Sequence, residues 1–330
     1  MKAIIHEKVE GLEGLALRDY ERPEVPQGHV LVKLKAAGMN RRDLMVTVRH
    51  KTDQPPLIPG SDGAGVVEDL GSDVDGINIG DEVVINPGLG WENNSDAPPE
   101  GFEIVGLPDH GTFAEFITVP AANIEPKPKH LSWEEAGVLP LAALTAYRVL
   151  FTRGKLSEGM TVMLPGIGSG VLTFALLFAK AVGARVIVTS RSQEKLEAAK
   201  ALGADVTVST NADWNEELKS ESVDLLVESI GNATFEKSMN IIRKGGTIVT
   251  FGSTTEDEVT FNIRQFFYGQ YNLLGSTMGS AEEFREMLAF VSEHEIKPQL
   301  DQVFSLEQFK EAFEYIQKTK NFGKIGFTIE

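Results

Sequence analysis

The sequence predicts an α/β protein in which a β-rich region precedes a doubly wound parallel sheet. Residues 1–125 contain short apolar strand patterns separated by turns. From about Ser132 onward, apolar strands alternate with helix patterns, and a glycine-rich turn lies between the first such strand and its helix. Alternation of this kind places parallel strands in one sheet with helices on both faces.

The predicted elements follow one another in a consistent order. Strands are predicted in the first region at 30–34, 65–67 and 82–85, and a long loop rich in Gly, Pro, Asn and Asp at 87–111. In the second region strands are predicted at 161–164, 185–189, 223–228, 247–251 and 272–275, with helices at 170–182 and 193–202. The tail, 281–329, has two helix patterns and a final strand.

Composition narrows the class of protein. The chain has 330 residues, which is enough for two domains, and a formal net charge of −17, which argues against nucleic-acid or anionic-membrane partners. It has no cysteine, so disulfides, thiol nucleophiles and zinc–thiolate sites are excluded. The N-terminus reads as a strand, and the most apolar helix, 171–181, is too short to span a bilayer. We therefore expect a cytoplasmic protein with a small-molecule partner.

The glycine-rich turn predicts a phosphate site. Gly166, Gly168, Ser169, Gly170 and Val171 lie between a strand and a helix. Glycines allow close backbone approach, and a helix N-terminus supplies N–H donors for the phosphates of a dinucleotide. The turn departs from a strict G-x-G-x-x-G because Val171 takes the last position.

The end of the next strand predicts the cofactor. NAD sites usually have an acidic residue there for the ribose hydroxyls, but this strand ends in Ser190 and Arg191. Arg191 can contact a 2′-phosphate with two hydrogen bonds, and Lys195 lies one helical turn further on. The sequence therefore favours NADPH. The alternative is that both are solvated surface charges.

Several motifs resemble the medium-chain dehydrogenase/reductase superfamily. They are G-S-D-G-A-G-V-V at 60–67, Gly71, G-D-E-V-V at 80–84 and the glycine turn, while A-G-M-N-R-R-D-L at 37–44 is similar to the quinone-reductase branch. The resemblance implies a GroES-like β-rich catalytic domain over 1–125 and 280–330 and a Rossmann NADPH-binding domain over 126–279. It also implies a homodimer joined by cofactor-domain strands around 273–275.

The same resemblance bears on metal chemistry. In zinc-holding relatives the Asn40 position is a cysteine ligand, and Ser61-Asp62 would read His-Glu. No histidine pair here has the H-x-x-x-H spacing, so we expect no catalytic metal. Alcohols need a Lewis acid for easy hydride loss, whereas quinones and activated alkenes need only hydrogen bonds to the developing oxyanion.

Asn40 and Asp43 are the catalytic candidates. By resemblance Asn40 lies near the nicotinamide ribose and the substrate carbonyl, and Asp43 orders that loop; a cap or turn role is the alternative for Asp43. Lys51 stands where many relatives have a tyrosine acid. His50 or Lys51 could deliver the proton or could be surface charges, and water or a ribose hydroxyl could deliver it instead.

Further cofactor contacts follow from the resemblance. Thr145 corresponds to a residue that contacts the nicotinamide amide, and others end the fourth and fifth strands or lie near the tail. They are Ser229, Gly231, Phe251, Gly252, Met278 and Lys324. Core packing is the alternative for Phe251 and Met278.

The leading hypothesis is an NADPH-dependent, zinc-free oxidoreductase that reduces quinones or α,β-unsaturated carbonyls. A 2-enoyl-thioester reductase and an alcohol/aldehyde reductase of the same superfamily are alternative enzymes. A non-catalytic NADPH-binding protein is the alternative from another class.

Overall fold

The structure, a computed structural model, describes every residue from Met1 to Glu330 and divides into two compact units. Unit 1 comprises Met1–Leu144 and Gly279–Glu330, and unit 2 comprises Thr145–Met278. The chain thus leaves unit 1 and returns to it. None of the helices is both long enough and apolar enough to cross a membrane.

The strands and helices are numbered in chain order. The strands are β1 Lys2–His6, β2 Leu15–Asp19, β3 His29–Met39, β4 Asp62–Leu70, β5 Glu82–Ile85, β6 Gly88–Leu89, β7 Glu103–Ile104, β8 Phe116–Pro120, β9 Ile124–Pro126, β10 Thr161–Leu164, β11 Arg185–Ser190, β12 Val206–Ser209, β13 Val223–Glu228, β14 Ile242–Thr250, β15 Asn272–Gly275, β16 Leu300–Ser305 and β17 Lys324–Thr328. The α-helices are α1 Arg41–Arg49, α2 Trp133–Gly137, α3 Pro140–Tyr147, α4 Gly170–Ala181, α5 Gln193–Ala201, α6 Trp214–Glu217, α7 Asn232–Ile241, α8 Ile263–Gly269, α9 Ala281–Glu293 and α10 Phe309–Gln317.

Unit 1 is built on a seven-stranded, largely antiparallel sheet. Its order is β16-β17-β3-β4-β5-β9, and β8 also pairs with β3. The tail strand β17 lies antiparallel to β3, with Ile325 opposite Met39. This pairing places the start of β17 beside the end of β3, where α1 begins.

The boundary between the units lies between Leu144 and Thr145, later than the predicted boundary at 126. Helix α2 belongs with unit 1 because small residues let it approach the sheet closely. A Cβ on Gly38 would lie 2.7 Å from the carbonyl oxygen of Gly137, and one on Gly137 would lie 2.7 Å from the Cβ of Ala36. The sequence pattern shows where the helical region begins, but the boundary between the two compact units lies further along the chain.

Unit 2 contains a six-stranded, wholly parallel sheet in the order β12-β11-β10-β13-β14-β15. Its central strand β10 is fully buried and β13 is buried except at Asp224, which agrees with their mainly apolar sequences. The predicted α/β fold, with a β-rich first region and a parallel sheet in the second, is confirmed.

Several element predictions need correction. The tail contains a strand that the sequence does not predict, β16, which pairs with β17. None of its six residues is fully buried, and its sequence has no apolar run. Strand β14 begins at Ile242 rather than 247, through a glycine-containing segment. The predicted loop at 87–111 contains the two-stranded pair β6–β7.

Candidate functional site

Asn40 lies where β3 gives way to α1, as the N-cap residue of the helix. Its backbone is extended, and its N–H donates to Oδ2 of Asp43 at 2.7 Å, the reciprocal bond of a capping box. The backbone of Asn40 is therefore fixed by a local motif that the sequence N-R-R-D encodes. Asp43, for its part, acts on the backbone of Asn40.

Asp43 is fully buried, and only one of its two carboxylate oxygens has a hydrogen-bond partner. Its Oδ1 has no hydrogen-bond partner. Burial raises the pKa of Asp43 to about 7, although the Arg42 guanidinium and the Asn40 N–H act in the opposite direction. Near neutral pH this side chain therefore alternates between a carboxylic acid and a carboxylate.

A buried cluster surrounds the Asn40 amide. The Lys324 ammonium donates to the Met39 carbonyl oxygen at 2.9 Å, to Asn40 Oδ1 at 2.7 Å and to Asp62 Oδ2 at 3.2 Å. Asn40 Nδ2 donates to the same Asp62 oxygen at 2.9 Å, and the Leu141 N–H donates to Asp62 Oδ1 at 2.7 Å. The cluster joins β3, β4, β17 and α3 within unit 1.

The charges of this cluster follow from its hydrogen bonds. Every partner of Asp62 is an N–H donor, so no acceptor remains for a carboxyl proton. Burial raises the pKa of Asp62, and the Lys324 ammonium and Asn40 amide oppose that rise. Asp62 and Lys324 form a buried ion pair in which both side chains are almost inaccessible, at 0% and 3% exposed.

The neighbouring residues His50 and Lys51 are both committed elsewhere. His50 is buried; its Nδ1 lies 2.8 Å from Nδ1 of His6, and its Nε2 lies 2.9 Å from the Pro55 carbonyl oxygen. Lys51 is exposed and pairs with Glu10. Neither arrangement supports the proton-delivery hypothesis for these residues.

In unit 2 the glycine turn follows β10 as the sequence predicts. Gly166 and Gly168 have φ values of 76° and 134°, which other residues rarely adopt. The Gly166 N–H donates to Thr189 Oγ1 at 3.2 Å, so the turn is fixed to the end of β11. Ser169 is the N-cap of α4, and its Oγ accepts from the Leu172 N–H.

Ser190 and Arg191 lie at the end of β11, next to that turn in the sheet. Ser190 is buried and its Oγ accepts from the Ser192 N–H at 3.1 Å, whereas Arg191 is exposed. Lys195 is partly buried in the first turn of α5, which Ser192 caps. Because the strands are parallel, all these groups lie at the same edge of the sheet.

A second buried carboxylate, Glu228, ends β13. Its Oε1 accepts from the Ile230 N–H at 2.8 Å, from the Gly231 N–H at 3.4 Å and from Thr234 Oγ1 at 3.0 Å. Its Oε2 accepts from Ser238 Oγ at 2.7 Å. All four donors are neutral, and they join the end of the strand to the turn before α7 and to α7 itself.

The other predicted cofactor residues differ in accessibility. Thr145 and Met278 are buried, Ser229 and Phe251 are partly buried, and Gly252 is exposed. Ser229 and Gly231 follow β13, and Phe251 and Gly252 follow β14, at the same sheet edge as the glycine turn. Lys324 lies in the buried cluster of unit 1, where its three N–H groups already have acceptors.

Comparison with known proteins decides the family. Residues 26–129 match the family described as the alcohol dehydrogenase GroES-like domain, and residues 170–293 match the zinc-binding dehydrogenase family. A zinc-type alcohol dehydrogenase-like protein of Schizosaccharomyces pombe is 37% identical over 100% of this chain and 99% of its own. The chain belongs to the medium-chain dehydrogenase/reductase superfamily.

Two further matches from this superfamily illustrate its chemical range. A 2-methylene-furan-3-one reductase of Solanum lycopersicum is 30% identical over 92% of this chain and 72% of its own. A crystal structure of an NAD-dependent alcohol dehydrogenase superposes with a TM-score of 0.93 at 37% identity, covering 100% of both chains. The matches therefore include a protein named as a reductase and a protein named as an alcohol dehydrogenase.

The residues of this chain do not fit a zinc site. The resemblance puts Asn40 and Ser61 at ligand positions of zinc relatives, and no group of three or more His, Cys, Asp or Glu side chains could hold a metal ion. Ser61 Oγ instead accepts from Arg42, and the Lys324 ammonium lies beside Asn40. Fixed cationic side chains occupy the neighbourhood in which a metal would need anionic or neutral ligands.

Sequence reasoning missed the roles of Asp62 and Glu228. Asp62 stands in the glycine motif of the superfamily but was not predicted to contact Asn40. The contact between Lys324 and Asn40 spans 284 residues of sequence, and no local pattern reveals it. For Glu228, an acidic residue ending an apolar strand before Ser-Ile-Gly was the available signal.

Proposed function

We propose that this chain is an NADPH-dependent, zinc-free oxidoreductase that reduces α,β-unsaturated carbonyls or quinones. The observation that carries the proposal is the hydrogen-bonding arrangement of the Asn40 amide. The Asn40 amide donates one N–H to Asp62 and keeps a second N–H without an acceptor in the protein. Such a donor suits the oxyanion that forms when hydride adds to an activated alkene or quinone.

The absence of a metal-ligand set limits the substrates. An alcohol must lose its hydroxyl proton before it donates hydride easily, and this cluster offers no group that would hold the alkoxide as a metal does. Electron-poor alkenes and quinones need less charge stabilisation. The name of the Solanum lycopersicum relative, a reductase of an enone, favours enones over quinones.

The cofactor assignment is supported by unit 2. The glycine turn, the N-terminus of α4 and Ser190–Arg191 provide backbone N–H groups and an exposed guanidinium at one sheet edge. These fit a pyrophosphate and an adenosine 2′-phosphate, and no carboxylate follows β11 to favour NAD. Bound NADPH would supply the hydride.

The test is an NADPH-oxidation screen with enones, quinones, enoyl thioesters and aldehydes, together with metal analysis. We expect turnover of enones or quinones, no stoichiometric zinc and no effect of chelators. The control is Gly166→Val, because Gly166 has φ 76° and an added Cβ would lie 2.7 Å from Ile230 Cδ1. Robust alcohol oxidation with NAD⁺ by metal-free protein, or one tightly bound zinc per chain lost together with activity, would overturn the proposal.

We also propose that the protein is a homodimer joined through unit 2. Strand β15 ends the parallel sheet, so one side of it has no partner strand within the chain. The preceding helix, α8, exposes Ile263, Phe267 and Tyr268. A second copy would cover both features. Light scattering should give twice the chain mass, and Phe267→Glu with Tyr268→Glu should give the monomer mass; a wild-type monomer contradicts the proposal.

A further inference from the structure

The Asn40 amide can stand in two orientations, related by a half-turn about its terminal bond, and its neighbours select one. The Lys324 ammonium can only donate and the Asp62 carboxylate can only accept. The observed orientation directs Oδ1 to the ammonium at 2.7 Å and Nδ2 to the carboxylate at 2.9 Å. The reverse orientation would place N–H against N–H and oxygen against oxygen.

We propose that Lys324 is a positioning residue for the reduction, which holds the Asn40 amide so that its second N–H faces the substrate oxygen. This inference rests on the proposed function and deepens it. The ammonium also polarises the amide, since a cation at Oδ1 draws electron density from the amide nitrogen. The remaining N–H is thereby a stronger donor to a developing oxyanion.

The geometry assigns Lys324 a different task from cofactor binding. Its three N–H groups are matched by three acceptors, from Met39, Asn40 and Asp62, and only 3% of its side-chain surface is exposed. A phosphate could gain a hydrogen bond from this ammonium only by displacing one of these acceptors. Binding a cofactor phosphate would therefore break one of the hydrogen bonds that hold the cluster together.

A third role, simple neutralisation of Asp62, must be separated from positioning. Removing the ammonium leaves a buried carboxylate without its counter-ion, which destabilises proteins whatever the catalytic role. The experiment must therefore restore or withhold the positive charge at one position while keeping side-chain length. It must also compare kcat with KM.

The absence of cysteine permits such an experiment. A Lys324→Cys chain contains one thiol, which can be alkylated in the unfolded protein before refolding. Bromoethylamine creates an ammonium at the end of a side chain of nearly lysine length, and bromopropane creates a neutral side chain of the same length. Thermal unfolding and circular dichroism then report the folded fraction of each.

We expect the aminoethylated protein to recover the wild-type kcat for an enone within about threefold. The propylated protein should keep a kcat about 10–100-fold lower, with the KM for NADPH changed less than about twofold. In an Asn40→Ala background the two alkylated proteins should have the same kcat, since the amide through which the charge acts is gone. Equal kcat of the two folded alkylated proteins when Asn40 is present, or a rise in KM for NADPH alone, would overturn the inference.

Lys127→Met is the matched control. Lys127 is also a buried lysine of unit 1, with 7% of its side-chain surface exposed, and it donates to the Leu131 carbonyl oxygen and pairs with Glu82. Its loss should affect stability without the selective loss of enone turnover. An equal kcat loss in this control would show that any buried lysine has the effect, which also overturns the inference.

A measurement without turnover separates this inference from the proposed function. In protein labelled with nitrogen-15 in its asparagine side chains, the side-chain amide signal of Asn40 is assigned by its absence in Asn40→Ala. The aminoethylated protein should reproduce the wild-type signal, and the propylated protein or Lys324→Met should shift it. If enones are not reduced, the proposed function fails, but the signal still decides the positioning. An unshifted Asn40 signal in folded protein without the ammonium overturns the positioning inference.

Discussion

Each unit contains a buried carboxylate at a strand terminus, and the two have different surroundings. Glu228 in unit 2 accepts only from neutral donors, two backbone N–H groups and two hydroxyls, which leaves no group of that cluster available. Asp62 in unit 1 accepts from an ammonium and from an amide whose second N–H has no protein acceptor. Nearby, Asp43 keeps an unpaired oxygen.

The difference indicates which cluster stabilises the fold and which one serves chemistry. A fully matched carboxylate stabilises one backbone arrangement. A cluster with a fixed cation, an unmatched N–H and a carboxyl group near its pKa costs stability but can respond to a ligand. Substitutions in the Glu228 cluster should therefore change unfolding, and those in the Asn40 cluster should change activity and its pH dependence.

The largest expected effect is on stability at Glu228. Glu228→Ala would leave two N–H groups and two hydroxyls in a buried site without their acceptor, which should cost about 3–5 kcal/mol of unfolding free energy. Denaturant unfolding measures it. Glu236→Ala, an exposed residue of the same helix, is the control and should change stability by less than about 0.5 kcal/mol. A Glu228→Ala protein as stable as the control would contradict the assignment.

The next effect is on turnover at Asn40. Asn40→Ala removes the proposed oxyanion donor and should lower kcat for an enone by a factor of about 10²–10³. The loss should be smaller for a strongly electron-poor quinone, because less charge needs stabilisation. Steady-state kinetics with both substrates measure the difference. Equal losses would remove Asn40 from its proposed role and leave the reductase proposal to rest on the turnover screen alone.

The third effect is a pH dependence of stability that Asp43 causes. Its pKa in the folded protein, about 7, is above the 3.8 of an ordinary aspartate, so the folded state binds its proton more tightly. The contribution of Asp43 protonation to the unfolding free energy is complete below about pH 4 and is lost as pH rises through about 7. The unfolding free energy of wild type minus that of Asp43→Asn should fall by about 2–3 kcal/mol from about pH 5 to about pH 8.

The subtraction removes the contributions of other titrating groups, and any cost of the new buried amide adds only an offset that does not vary with pH. Denaturant unfolding at several pH values gives the curve. A difference that does not vary with pH would mean that Asp43 is ionised throughout and that its unpaired oxygen is solvated. That result would weaken the contrast with Glu228.

The two units also differ in how much of them the sequence predicts. In unit 2 the turn, the strand ends and the parallel sheet follow from local patterns, because the carboxyl ends of parallel strands meet at one edge. In unit 1 the cluster depends on the pairing of β17 with β3, which brings Lys324 to Asn40 from the far end of the chain. Apolar alternation predicts that a final strand exists but not which strand it pairs with.

Local patterns also could not reveal charge states. N-R-R-D predicts a helix start with a capping aspartate, and Asp43 fills that position. The raised pKa of Asp43 depends on complete burial, which is a property of the packed unit. The resemblance predicts a cofactor contact for Lys324, because the sequence cannot show that its hydrogen-bonding capacity is used within unit 1.

The smallest expected effect is on the choice between NADPH and NADH in unit 2. Arg191 is exposed at the end of β11, and a charge-assisted contact with a 2′-phosphate is worth about 1.5–3 kcal/mol, or about one to two decades in affinity. Arg191→Ala should raise the KM for NADPH by that factor and leave the KM for NADH nearly unchanged. Arg264→Ala, another exposed arginine of unit 2, should change neither. Equal weakening of both cofactors would show that Arg191 supports the strand end rather than the phosphate. A wild-type preference for NADH would contradict the cofactor proposal. The proposed reaction at Asn40 would then be tested by the substrate screen alone.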